Sequence, residues 1–69
     1  MRVGSIRIDK IKLCVEMAKN DFSGKELSKR SGVSVMTISY IKNGKTCSAS
    51  TGTKLAAALG VDISDLVQK

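Results

Sequence analysis

Catalytic chemistry has little to work with in these 69 residues: there is no histidine, there are two cysteines, and six carboxylates stand against twelve lysines and arginines. Asp9, Glu16, Asp21, Glu26, Asp62 and Asp65 are scattered along the chain, where helix capping accounts for most of them. Serines and threonines are present without an evident base to activate them, and no glycine-rich phosphate loop occurs. Cys14 and Cys47 have no companions at metal-ligand spacing, so no metal and no cofactor is expected. The chain reads as a binder and not as an enzyme. What it offers a ligand is positive charge. Lys and Arg less Asp and Glu gives +2 over residues 1–24 (five minus three), +4 over 25–45 (five minus one) and 0 over 46–69 (two minus two). Ammonium and guanidinium groups concentrated on one short segment are the footprint of phosphate binding; charge alone fits a solvated, lysine-rich surface equally well, and it is the position of the excess that points to nucleic acid.

The segment that must position those charges is residues 24–44, GKELSKRSGVSVMTISYIKNG, which reads as two short helices across a tight turn. Ser23 and Glu26 form a capping box, in which the hydroxyl accepts from the Glu26 amide and the carboxylate reaches back to the Ser23 amide. Gly32 supplies the residue that takes a positive φ between the helices. Ser34 caps the second helix, Val35 to Lys42, which stops at Asn43-Gly44. Leu27, Val33, Ile38 and Ile41 are placed to be buried together, with Ser28 small enough for close crossing. Val35, Met36, Thr37, Ser39, Tyr40 and Lys42 are left outward, a face too apolar for an idle solvated surface.

The remaining elements complete one small domain over residues 1–69. Residues 1–5 read as a loose arm carrying Arg2. A first helix over residues 7–20 turns Ile11, Cys14, Met17 and Ala18 to one side, with Leu13 and Val15 flanking and Asp9, Lys12, Glu16 and Lys19 opposite. On this reading Cys14 is a small core residue, whereas Cys47 is a free thiol in a polar loop. Phe22 staples onto Leu27 ahead of the second helix. The polar run after Gly44 leaves the start of the fourth helix open between Ser48 and Thr53. That helix buries Leu55, Ala58 and Leu59 over residues 54–59 and ends at Gly60. Asp62 then caps a last short helix over residues 63–67, whose Leu66 returns to the core. No apolar run is long enough for a leader or a membrane span, and the unpaired thiols suit a reducing cytoplasm. Proline is absent, and Phe and Tyr occur once each, which favours an all-α domain. At this size the stability expected is on the order of 3–5 kcal/mol.

Leu27-Ser28 ahead of Gly32, Ile38 and Ile41 after it, the closing Asn43-Gly44-Lys45, and the downstream Lys54-Leu55-Ala56-Ala57-Ala58-Leu59-Gly60-Val61 with Asp65-Leu66 together resemble one family: the phage-repressor-like, or Xre-type, helix-turn-helix DNA-binding domains. The resemblance covers roughly residues 6–67. It implies a compact five-helix, lambda-repressor-like fold and a sequence-specific regulator of transcription, usually a repressor, from a bacterium, phage or mobile element. Such a regulator binds double-stranded DNA as a homodimer on an inverted-repeat operator, and no small-molecule effector is evident here. Residues 60–67 are the family's usual place for the dimer contact.

Carried over residue by residue, the family pattern makes Ser34, Val35, Met36 and Tyr40 base-facing, with Thr37 and Ser39 beside them. It assigns phosphate to Gly24, Lys25, Asn43, Lys45 and Thr46. Val35 and Met36 depart from the amide and Arg base readers of many members, and address thymine methyl groups instead. The same apolar tip supports an alternative, a protein-interaction module on this fold such as an antitoxin or adaptor.

Overall fold

A computed structural model describes residues 5–68 of the chain. Four α-helices carry the fold: α1 (Lys10–Lys19), α2 (Gly24–Ser31), α3 (Val35–Lys42) and α4 (Ala49–Leu59), followed by one 3-10 turn, Ile63–Asp65. The all-α helix-turn-helix architecture is as expected, but the fifth helix is only this turn. After it the backbone extends, because Val67 bridges Ile8 in an antiparallel pair. The Gln68 N–H donates to the Arg7 carbonyl at 2.8 Å and the Asp9 N–H to the Leu66 carbonyl at 2.7 Å. A second pairing was not anticipated: β1 (Ser5–Ile6) lies antiparallel to β2 (Cys47–Ser48), Ser5 opposite Ser48 and Ile6 opposite Cys47. The expected loose arm falls mostly on residues 1–4, with Arg2, outside the described residues; Ser5, placed in it, is paired.

α1 begins at Lys10, three residues later than expected, because Arg7 and Ile8 are held extended by these pairings. Asp9 caps it and does not lie on a solvent face: its carboxylate accepts from the amides of Ile11 (2.9 Å) and Lys12 (3.2 Å). The helix is also rotated from the expected setting. Leu13 and Met17 are buried, whereas Ile11, Cys14 and Ala18 face solvent. Apolar residues cover rather more than half of the circumference of KIKLCVEMAK, wider than the face the core takes, so periodicity alone does not say which part goes inward; Leu13 and Met17, at one edge of that arc, join Ile8 in the core. Cys14 is thus an exposed thiol, and Cys47 is the half-buried one packed against the core, where burial pushes its thiol pKa up.

Leu27, Val33, Ile38 and Ile41 are buried together as expected, joined by Leu13, Leu55 and Leu66. Among the described residues no polar or charged side chain is buried, so the core is held by apolar packing alone. α4 packs against α2, and α2 against α3. α4 starts at Ala49 behind a Ser48 cap whose hydroxyl accepts from the Thr51 amide at 3.1 Å. It buries Leu55, Ala56 and Leu59, with Ala58 half-buried. Gly52 lies inside it beneath Ile6 and Ile63. A Cβ there would come within 2.6 Å of the Ile6 Cδ1 and 3.0 Å of the Ile63 Cδ1, so the missing side chain lets the first strand and the 3-10 turn close over the helix. Gly60 ends the helix at φ +75.

Candidate nucleic-acid interface

Each end of the two central helices is fixed by a local device. Ser23 accepts from the Glu26 amide at 3.1 Å, which is one half of the expected capping box. The other half is replaced: the Glu26 carboxylate takes the Arg30 Nε at 2.6 Å, one turn along α2. Both partners are substantially exposed, so this pair contributes only tenths of a kcal/mol. Arg30 also lies 4.8 Å over the Phe22 ring, which itself packs against the core. Gly32 closes α2 at φ +77, donating to the Ser28 carbonyl at 2.9 Å, and Val33 is buried directly after it. The turn therefore has the geometry its sequence demands, and it delivers Ser34 to the start of α3.

At that start the Ser34 hydroxyl accepts from the Thr37 amide at 3.1 Å and donates to the Thr37 Oγ1 at 2.9 Å. Removing it in Ser34→Ala is expected to cost about 1 kcal/mol and to lower the melting temperature by roughly 4–8 °C. A thermal melt followed by circular dichroism measures this separately from any change in ligand affinity. Beyond the cap, α3 buries Ile38 and Ile41 and turns the opposite face out: Val35 is 50% exposed, Met36 65% and Tyr40 54%, with Ser39 exposed between them. The base-facing candidates thus share one surface, except that Thr37 is half-buried and tied to Ser34. This face presents methyl, thioether, hydroxyl and phenol groups, which suits apolar contact with thymine methyls and single hydrogen bonds, not paired amide readout.

The phosphate candidates are placed in three different ways. Gly24 and Lys25 open α2, where first-turn amides have no helical acceptor and the dipole's positive end points outward. Asn43 is largely committed to the fold: its backbone N–H and its side-chain Nδ2, at 2.9 Å, both reach the Ser39 carbonyl. The Lys45 amide is likewise taken, by the Tyr40 carbonyl at 3.1 Å, which leaves its exposed ammonium as the useful group. Lys45 and Thr46 line a groove of about 640 Å³ with Thr37, Tyr40, Cys47, Ser48 and Thr51, running from the exposed face of α3 to the amino end of α4. Gly24, Lys25, Val35, Met36 and Asn43 lie outside this groove. Ser48 and Thr51 are the residues that sequence reasoning missed here; the Ser-x-x-Thr cap spacing was the available signal.

Known proteins share this architecture. Three solved structures superpose on 93% of the chain at 23% sequence identity: a point variant of hydroxyethylphosphonate dioxygenase at a TM-score of 0.82, PhpD with cadmium complexed with hydroethylphosphonate at 0.80, and native PhpD with cadmium at 0.80. The chain spans 14% of the length of each, and at this identity the likeness is one of fold alone. No curated protein matches at a significant level. Among the described residues no helix is long and apolar enough to cross a membrane. The family model of the Cro/C1-type helix-turn-helix DNA-binding domain matches residues 12–68, which contain the capped α2–Gly32–α3 unit, its buried apolar quartet and α4, and the chain belongs to that family of DNA-binding domains.

Proposed function

We propose that this domain is a transcriptional regulator, most simply a repressor, that binds an inverted-repeat operator as a homodimer and acts by occupancy and not by catalysis. Two copies of α3, about 34 Å apart, enter successive major grooves and exclude polymerase. The observation that carries this reading is the outward face of α3 in a Cro/C1-type domain, with Val35, Met36, Ser39 and Tyr40 exposed beside the Lys45–Thr46 groove. Ser34, Val35, Met36 and Tyr40 face bases, Thr37 and Ser39 support them, and Gly24, Lys25, Lys45 and Thr46 meet phosphates. Asn43 acts mainly by holding the end of α3. The free thiols of Cys14 and Cys47 suit a cytoplasmic setting.

Anisotropy titration against a random duplex of about 30 base pairs, at several salt concentrations, tests the phosphate footprint. A dimer neutralising six to ten phosphates is expected to give a log–log slope of roughly −5 to −9. A flat response would sink the mechanism. If the titration succeeds, a randomised-site selection should return thymine at the steps that face Val35 and Met36. G·C-rich sites without it would overturn the assignment of those two residues.

A protein-interaction module on the same fold is the second reading, supported by the exposure of Val35 and Met36. The charge excess over residues 25–45 is hard to explain on that view.

A further inference from the structure

Five large apolar side chains stand exposed among the described residues, and the operator reading uses only the three on α3. The other two, Ile11 at 70% and Val15 at 46%, lie on α1. With Cys14 and Ala18 they complete the i, i+3, i+4, i+7 stripe of an amphipathic helix, turned away from the protein's own core. The four residues line a shallow groove of about 540 Å³ with Lys10 and Lys42. That groove shares no lining residue with the one beside Tyr40.

The charges around the stripe indicate what covers it. Lys10 and Lys42 border one side, and among the described residues neither has a carboxylate within ion-pair distance. Lys12 lies on the other side, beside Glu16 and Asp65, and Lys19 pairs with Glu16 at 3.4 Å. Four lysines thus frame an apolar helical ridge, with two carboxylates on one side only. A second copy laid face to face sets at best Asp65 and Glu16, the latter already paired with Lys19, against Lys10 and Lys42, and it brings four more lysines and a further net charge of +6. An apolar ridge with acidic flanks is complementary to this rim.

The geometry points to the α1 stripe as a docking site for an amphipathic helix of another protein, with Leu, Ile, Phe or Met at the spacing of one face and Asp or Glu along its edges. The partner's ridge seats on Ile11, Val15 and Ala18, and its carboxylates face Lys10 and Lys42. This inference does not depend on the operator reading, which gives no role to Ile11, Cys14, Val15, Ala18 or Lys42.

The test is selection of phage-displayed helical peptides on the purified protein, with Val15→Glu and Ile11→Glu as counter-targets and a shift-mapped titration of one selected peptide. Both positions are exposed, so these variants keep the fold. Enriched peptides are expected to show an apolar ridge with acidic flanks. They should bind the Val15→Glu protein at least ~10-fold more weakly, and perturb α1 and Lys42 while leaving α3 residues 35–40 unmoved. Val15→Glu should change duplex affinity by no more than ~2-fold. No enrichment, enrichment without acidic residues, or binding indifferent to Val15→Glu overturns the proposal. So does a sedimentation profile in which Val15→Glu dissolves a dimer, which would give the stripe to a second copy. Loss of duplex binding in Val15→Glu would give it to DNA, and likewise end the proposal.

Discussion

The double variant Lys25→Glu/Lys45→Glu is expected to lose at least ~10²-fold in duplex affinity at physiological salt, by a similar factor on every sequence. Both side chains are exposed and neither is paired with a carboxylate among the described residues, so the melting temperature should stay within a few degrees of the parent. Lys45 sits in the groove beside Tyr40, and Lys25 opens α2 at the positive end of its dipole. In a dimer the two changes remove four cations, so the salt slope should become shallower by roughly 3–4. Uniform loss with a shallower slope is the signature of lost phosphate contacts. A variant that keeps its affinity would instead favour the protein-interaction reading, in which these lysines have no part.

Leu27→Ala should have the largest effect on stability. Leu27 is fully buried at the middle of α2, among Ile38, Ile41 and Leu55. Truncating a fully packed leucine costs about 2–5 kcal/mol through lost burial and the residual cavity. A domain of this length has on the order of 3–5 kcal/mol in total, so the variant should be largely unfolded near room temperature. Far-ultraviolet circular dichroism and a urea titration measure this directly. A cooperative transition within about 5 °C of the parent, less than one kcal/mol of lost stability implies on a domain of this size, would show that the core repacks around the gap.

The parts of the fold that were legible in the sequence are those fixed by neighbouring residues. Ser23, Ser34 and Asp62 cap the elements they were expected to cap, Gly32 and Gly60 take the left-handed conformation, and Leu27, Val33, Ile38, Ile41 and Leu66 are buried. In each case the relevant partner lies within a turn or on a regular stripe. The failures are long-range. Two-residue strands carry no periodic signal, so the pairing of Ser5–Ile6 with Cys47–Ser48 was invisible, and with it the late start of α1. The rotation of α1 was not legible because its apolar arc, from Leu13 round to Val15, is wider than the face that the core buries. Which edge of that arc turns inward is set by packing with distant residues: Leu13 and Met17 join Ile8, itself bridged to Val67, in the core. At the candidate interface, the exposure of Val35, Met36 and Tyr40 followed from helix spacing, whereas the internal use of the Asn43 and Lys45 amides depended on how the chain turns after α3.

The bonds that join Arg7 to Gln68 and Asp9 to Leu66 tie the short segment ahead of α1 to the one that follows the 3-10 turn. The segment ahead of α1 and the segment after the 3-10 turn are thereby stitched together, so neither can peel away without freeing backbone groups of the other. The same closure sets an order during synthesis: Ile8 and Asp9 emerge from the ribosome early but keep unpaired backbone groups until residues 66–68 follow, so the domain closes only when its final stretch is free.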